Sequence, residues 1–171
     1  NLNSEQVEDM KIIHSGGQTL LALINDILDL AKVESGKLTV VADNLHISEL
    51  AQRMRFQFKP VAEKQVVDLI IDLQPDLPET VRVDSHRLEQ ILRNLLSNAF
   101  KFTEQGEVEL KVGTSSAPSL LKQLEQSDGT SHDKALVFQV RDTGIGIAPG
   151  VQDDIFEAFQ QADGSTSRKF G

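Results

Sequence analysis

Residues 88–103 read LEQILRNLLSNAFKFT. Leu88, Ile91, Leu92, Leu95, Ala99 and Phe102 recur at helical spacing and, at about 100° per residue, gather on one side of a helix expected from about Ser85 to Phe102. On the other side stand Asn94, Asn98 and Lys101 at i, i+4 and i+7, a single stripe. Asparagine is a poor helix former, because its short amide competes with the backbone for hydrogen bonds. A merely solvated face is more cheaply built from Glu, Lys or Gln. Two asparagines one turn apart therefore ask for a use. Their amide oxygens are neutral hard ligands of the kind Mg²⁺ accepts beside water and phosphate oxygens. Lys101, one turn on, adds a positive charge suited to a phosphate. A plain polar helix face is the competing reading.

Outward from this helix, strands are expected at TVRVD and VVDLIIDL on its N-terminal side and at EVELKVG (107–113) and ALVFQVRD (135–142) beyond it. A further strand is expected at Leu38–Val41. Ser48 would cap a helix running to about Glu63, with Pro60 as a kink or early end. The polar segment 114–134 between the last two strands reads as a surface insertion with a short helix around Leu120–Leu124. At the N-terminus, Ser4 to about Val33 reads as one long helix. Met10, His14, Gly17, Leu21, Ile24, Leu28 and Ala31 follow heptad spacing, a stripe that needs partner helices, and Gly36 stops it. The order is a helix, then βαββαββ, then DTGIGIAPG. The fold class is α+β, a two-layer α/β sandwich with one sheet covered on one side, preceded by a long bundle-forming helix.

Composition narrows the functions. The 171 residues carry a formal net charge of −9 and no cysteine, which argues against nucleic acid as a partner and removes disulfides and thiolate metal sites. The four histidines are scattered, so any metal would be oxygen-ligated. No apolar run approaches the roughly 20 residues of a membrane span. The chain reads as a soluble fragment, ending without a closing element.

DTGIGIAPG follows directly on a strand. Its glycines permit positive φ and close backbone approach, and Asp142 could accept a hydrogen bond from a base amino group. Gly144, Gly146 and Gly150 are spaced one residue too long for the dinucleotide fingerprint, and there is no G-x-x-x-x-G-K-[ST] loop. A tight turn is the plain alternative. Beside an Asn-Asn-Lys stripe, however, the loop would make a Mg-nucleotide cleft, with a polar helix face and a tight turn as the alternative.

These residues carry a family resemblance. LEQILRNLLSNAFKFT resembles the N box of sensor histidine kinases, DTGIGI their G1 box, and IFEAFQQADGSTSRKFG their F box and nucleotide lid. LINDILDLAKVESGKL is similar to the second helix of their dimerisation and histidine-phosphotransfer domain. The resemblance implies that residues 1–36 are that second helix. It makes residues 37–171 the ATP-binding catalytic domain of Bergerat type, lacking its C-terminal part because the second glycine box would begin at or after Gly171.

By the same resemblance ATP and Mg²⁺ are the cofactors, with Asn98 and Asn94 facing the metal, Lys101 at phosphate and Phe102 beside the adenine. Asp142 would bind the adenine amino group, within a pocket shaped by Thr143, Gly144, Gly146 and Ile147. Phe156 and Phe159 match the F box and Arg168 and Lys169 lie in the lid, with Phe159 and Arg168 expected among the ATP-binding residues. His14, His46, His86 and His132 match no phosphoacceptor, so the acceptor histidine is expected outside these residues and the fragment alone is expected to be inactive. Gln65 departs from the family pattern, where a glycine is common before the strand.

The implied function is transfer of the ATP γ-phosphate to a histidine and onward to a response-regulator receiver domain. The implied parent is a bacterial homodimeric phosphoprotein, this portion cytoplasmic and the whole membrane-bound or soluble. Asn94 stands where related gyrase, chaperone and mismatch-repair ATPases carry a glutamate that activates water, and an amide cannot be that base. A hydrolysing ATPase and a non-catalytic nucleotide-binding or dimerisation module are the alternatives.

Overall fold

A computed structural model describes residues 3–37 and 39–152. The chain divides into two compact units, Asn1–Val41 and Ala42–Gly171. The first is a single helix, α1 (Ser4–Glu34). It begins where the Gln6 N–H donates to Asn3 Oδ1 at 2.7 Å and the Asn3 N–H donates to Gln6 Oε1 at 3.0 Å, a reciprocal cap that satisfies two donors. It ends as the sequence indicates. Gly36 takes φ +66°, which brings the Gly36 N–H to the Val33 carbonyl and the Lys37 N–H to the Lys32 carbonyl. Along its length Met10, Ile13, Leu21, Ile24 and Leu28 are exposed.

The second unit runs β1 (Asp43–His46), α2 (Ile47–Gln65), β2 (Val67–Leu73), β3 (Thr80–Val83), α3 (Ser85–Phe102), β4 (Gly106–Ser115), α4 (Pro118–Asp128) and β5 (Ala135–Asp142). β4 lies between β2, to which it is parallel, and β5, to which it is antiparallel. Where one sheet was expected, β1 and β3 form a separate antiparallel ribbon. The first strand also lies downstream of the expected Leu38–Val41. Val40 and Val41 are exposed, whereas Leu45 is buried and pairs with Val81. A partner strand, rather than local apolarity, decides which residues pair.

Alternation along β4 turns Val108, Leu110 and Val112 inward against α2 and α3. From α2 come Leu50, Met54, Phe58 and Ala62, spaced as one helical face. The Phe58 and Phe100 rings stack with centroids 5.7 Å apart. Helix α2 starts at Ile47 after His46, not at a Ser48 cap, and continues through Pro60. It stops at Val66, whose φ of +58° is left-handed; that turn falls one residue after Gln65, where a glycine was anticipated.

The face of α3 needs correction. Its buried residues are Leu92, Leu96, Ala99 and Phe100, while Ile91 and Leu95 are 56% and 44% exposed. The core therefore takes the Leu88-Leu92-Leu96-Phe100 ridge, and the helix is turned by most of one residue's step from the expected face. Segment 114–134 does hold a helix, α4, longer than anticipated. At its last residue, the Asp128 carboxylate accepts the Thr130 N–H and pairs with His132. Both contacts hold its pKa below the ordinary value, the backbone bond most. Among the described residues no helix is long and apolar enough to cross a membrane.

Candidate functional site

Helix α3 is fixed at its start by two carboxylates. Asp84 accepts the Arg87 N–H at 3.0 Å. Asp43 of β1 accepts the Ser85 N–H at 3.2 Å and the Ser85 hydroxyl at 2.9 Å. Donors that a helix N-terminus leaves open are thus satisfied, and α3 is anchored to the ribbon.

At the other end Phe102 is the last helical residue, and its carbonyl lacks an intrahelical partner. The Ile145 N–H donates to it at 3.3 Å. Gly144 lies so close that a Cβ there would collide with the Phe102 carbonyl. The loop after β5 is therefore seated on the C-terminal end of α3, and only glycine fits at the point of contact. Gly146 takes φ +67°, a conformation glycine adopts without penalty.

Asp142, Thr143, Gly144, Gly146 and Ile147 all belong to this end of β5 and its loop, so the structure brings them to the end of the helix that carries Asn94, Asn98, Lys101 and Phe102. Asp142 is exposed, and its Oδ1 accepts the Gly144 N–H at 2.9 Å. Its Oδ2 has no partner among the described residues. Asn94 and Asn98 are exposed one turn apart, and among the described residues neither amide has a hydrogen-bond partner. The Lys101 ammonium lies 5.6 Å from the centroid of the half-buried Phe102 ring. Phe156, Phe159, Arg168 and Lys169 lie outside the described residues.

Two neutral amide oxygens fit a cation that keeps water and phosphate oxygens in its shell. Among the described residues no group of three or more His, Asp or Glu side chains could hold a metal alone, so a cation here would need the nucleotide's own oxygens. A concavity of about 680 Å³ opens elsewhere, beside Glu49, Gln52, Arg53, Phe56, Gln57 and Glu89. It contains none of the expected nucleotide residues. Its charges are already matched, Arg53 reaching Glu89 at 2.7 Å and Glu49 at 3.7 Å.

A family model described as histidine kinase-, DNA gyrase B-, and HSP90-like ATPase matches residues 83–171, from the end of β3 through α3 and the loop. The chain belongs to this family. Likeness to histidine kinases extends further. The chain is 36% identical over 170 residues to the autoinducer 2 sensor kinase/phosphatase LuxQ of Vibrio cholerae, covering 99% of the chain and 18% of that protein. To the circadian input-output histidine kinase CikA of Synechococcus elongatus it is 41% identical over 172 residues, covering 99% of the chain and 21% of that protein. The crystal structure of full-length ShkA in complex with AMPPNP superposes with a TM-score of 0.74 at 31% identity, over 96% of this chain and 32% of that one. The chain thus spans about a fifth of these curated relatives. It corresponds to the ATP-binding catalytic portion of sensor histidine kinases, as its motifs implied.

Sequence reasoning missed Gly106 and the use made of Thr143. The Glu107 N–H donates to Thr143 Oγ1 at 3.0 Å, and the Thr143 N–H donates to the Glu107 carbonyl at 3.2 Å. Gly106 has φ +108°, and a Cβ on it would collide with Thr143 Oγ1. The available signal was a lone glycine at the entry of a strand, which marks close backbone approach.

Proposed function

We propose that this portion binds ATP with Mg²⁺ at the outward face of α3 and the Asp142–Ile147 loop, and that in the whole protein it transfers the γ-phosphate to a histidine. One observation carries the reading. The loop is seated on the end of the helix bearing Asn94, Asn98 and Lys101, with one Asp142 oxygen left open. Asp142 Oδ2 accepts the adenine 6-amino group, Phe102 lies beside the ring, and Gly144, Gly146 and Ile147 line the base. Lys101 meets phosphate, and Asn94 and Asn98 turn their amide oxygens toward the metal. Bound Mg²⁺ supplies charge neutralisation on the phosphates.

No carboxylate stands on this stripe of α3. An amide at Asn94 cannot take a proton from water, so the residues favour holding ATP for an acceptor over hydrolysing it. The exposed apolar stripe of α1 supports a homodimer formed through that helix, and the histidine kinase relatives support a response-regulator receiver domain as the next acceptor. Titrating the chain with ATP, with and without Mg²⁺, tests the site. Binding that requires Mg²⁺, with no steady phosphate release, is expected. Equal binding without Mg²⁺ removes the metal role, and no binding at millimolar ATP removes the nucleotide reading.

A further inference from the structure

Thr143 sits where β5 leaves the sheet. In the antiparallel ladder it opposes Glu107, two residues beyond the Arg141–Glu109 pair. Its N–H completes one bond of a normal reciprocal pair, to the Glu107 carbonyl at 3.2 Å. The return bond does not go to its own carbonyl. Instead the Glu107 N–H donates to Thr143 Oγ1 at 3.0 Å, while Oγ1 itself lies 3.4 and 3.5 Å from the Glu107 and Gln105 carbonyl oxygens, the acceptors within reach of its proton. The side chain thus stands in for the backbone acceptor, so the Thr143 carbonyl is released to turn into the loop. Room for the hydroxyl exists because Gly106 has no Cβ.

We infer that Thr143 is a positioning residue rather than a nucleotide contact: its hydroxyl, fitted into the space left by Gly106, fixes the exit of β5 and thereby aims the open oxygen of Asp142 at the adenine amino group. The inference rests on the nucleotide reading above for its ligand, but the clamp itself does not. Asp142 precedes Thr143 directly, and its Oδ1 is already held by the Gly144 N–H. The orientation of Oδ2 is then set by how the chain leaves the ladder. The hydroxyl's single proton and one of its two lone pairs face backbone, so it has no donor left for a ligand and at most one lone pair.

The test uses the full chain carrying Thr143→Val or Thr143→Ser, titrated with ATP and with purine riboside triphosphate, which lacks the 6-amino group. Hydrogen exchange at the Glu107 amide is followed by NMR without nucleotide. Thr143→Val is expected to weaken ATP about tenfold, to leave the analogue within about twofold, and to speed Glu107 exchange at least about tenfold, as an unpaired amide should. Thr143→Ser keeps the hydroxyl and should restore both the ATP affinity and the slow Glu107 exchange. Equal loss for both nucleotides, or no loss for ATP, overturns the positioning role. Loss for ATP with unchanged Glu107 exchange overturns the clamp in favour of a direct contact. If the unsubstituted chain binds neither nucleotide, the functional reading falls and with it the aiming of Asp142, while Glu107 exchange still decides the clamp. Should Thr143→Val not fold, Gly106→Ala, which places a methyl where the hydroxyl sits, is expected to give the same selective loss.

Discussion

Helices α1 and α3 are both amphipathic by spacing, yet they stand in opposite situations. The stripe of α1 is exposed along its length, and its caps at Asn3 and Gly36 are the interactions that define its ends. In α3 Leu92, Leu96, Ala99 and Phe100 are buried, while Ile91 and Leu95, equally apolar, face outward beside Asn94 and Asn98. Periodicity states that a helix has a face to bury; what lies across from it decides whether, and by how much of a turn, the face is buried.

The strongest way to break this comparison is to remove the same kind of side chain from each helix. Leu96 is 0% exposed, so Leu96→Ala should cost about 2–5 kcal/mol in denaturant unfolding, the transfer term plus the cavity. Ile24, 44% exposed, should cost within about 0.5 kcal/mol when replaced by Ala at protein concentrations too low for association. A large, concentration-dependent loss for Ile24→Ala at higher concentration would identify another copy as what covers α1. Equal losses in both helices at low concentration would end the distinction.

The asparagines of α3 sharpen the contrast between a buried and a working face. Asn98→Ala should lower ATP affinity at least about tenfold and remove its Mg²⁺ dependence, since one amide ligand is gone. Stability should move the other way, rising by a few tenths of a kcal/mol up to about 0.7, because alanine is the better helix former and the side chain is exposed. Calorimetric titration and thermal unfolding read the two separately. A variant that loses both binding and stability would place Asn98 among the structural residues of the helix.

How much of this was legible in sequence varies from one residue type to another. Gly36 announced the end of α1, and the alternation of ALVFQVRD gave β5 to the residue, because caps and long alternating strands are local signals. Val40 and Val41 misled, since a four-residue strand has too little pattern of its own and β1 exists only by pairing with β3. The outward Asn94, Asn98 and Lys101 and the Asp142 loop were visible as motifs. Their meeting at the Phe102 carbonyl was not, because Gly144 and Ile145 touch α3 across some 40 residues of chain. The backbone bond made by the Thr143 hydroxyl was hidden for the same reason: its partner, Glu107, is remote in sequence.

The helix ends extend the comparison. Gly36 closes α1 in the left-handed conformation at no steric cost, whereas α2 closes on Val66 in the same region, φ +58° and ψ +43°. Val66 is 85% exposed, so its side chain gains little packing in return. Val66→Gly should stabilise the second unit by about 1 kcal/mol, the left-handed strain relieved less glycine's extra unfolded-state entropy. No gain, or a loss, would mean that the valine is covered.

The caps at the starts of α1 and α3 give the smallest effects. Asp84→Ala removes the acceptor for the Arg87 N–H in a helix whose opposite face is core, so the loss, about 1 kcal/mol, should appear in global unfolding of the second unit. Asp43 still holds Ser85, which keeps the value from rising toward the upper end seen for caps. Asn3→Ala breaks a comparable bond to Gln6, but α1 has no described core to transmit it. Fraying should stay in the first turn, visible as faster amide exchange at Gln6 and Val7, with the unfolding midpoint of the second unit unchanged. If Asn3→Ala lowers that midpoint as Asp84→Ala does, the two units unfold together, and the exposed stripe of α1 cannot be treated as energetically separate from the core around α3.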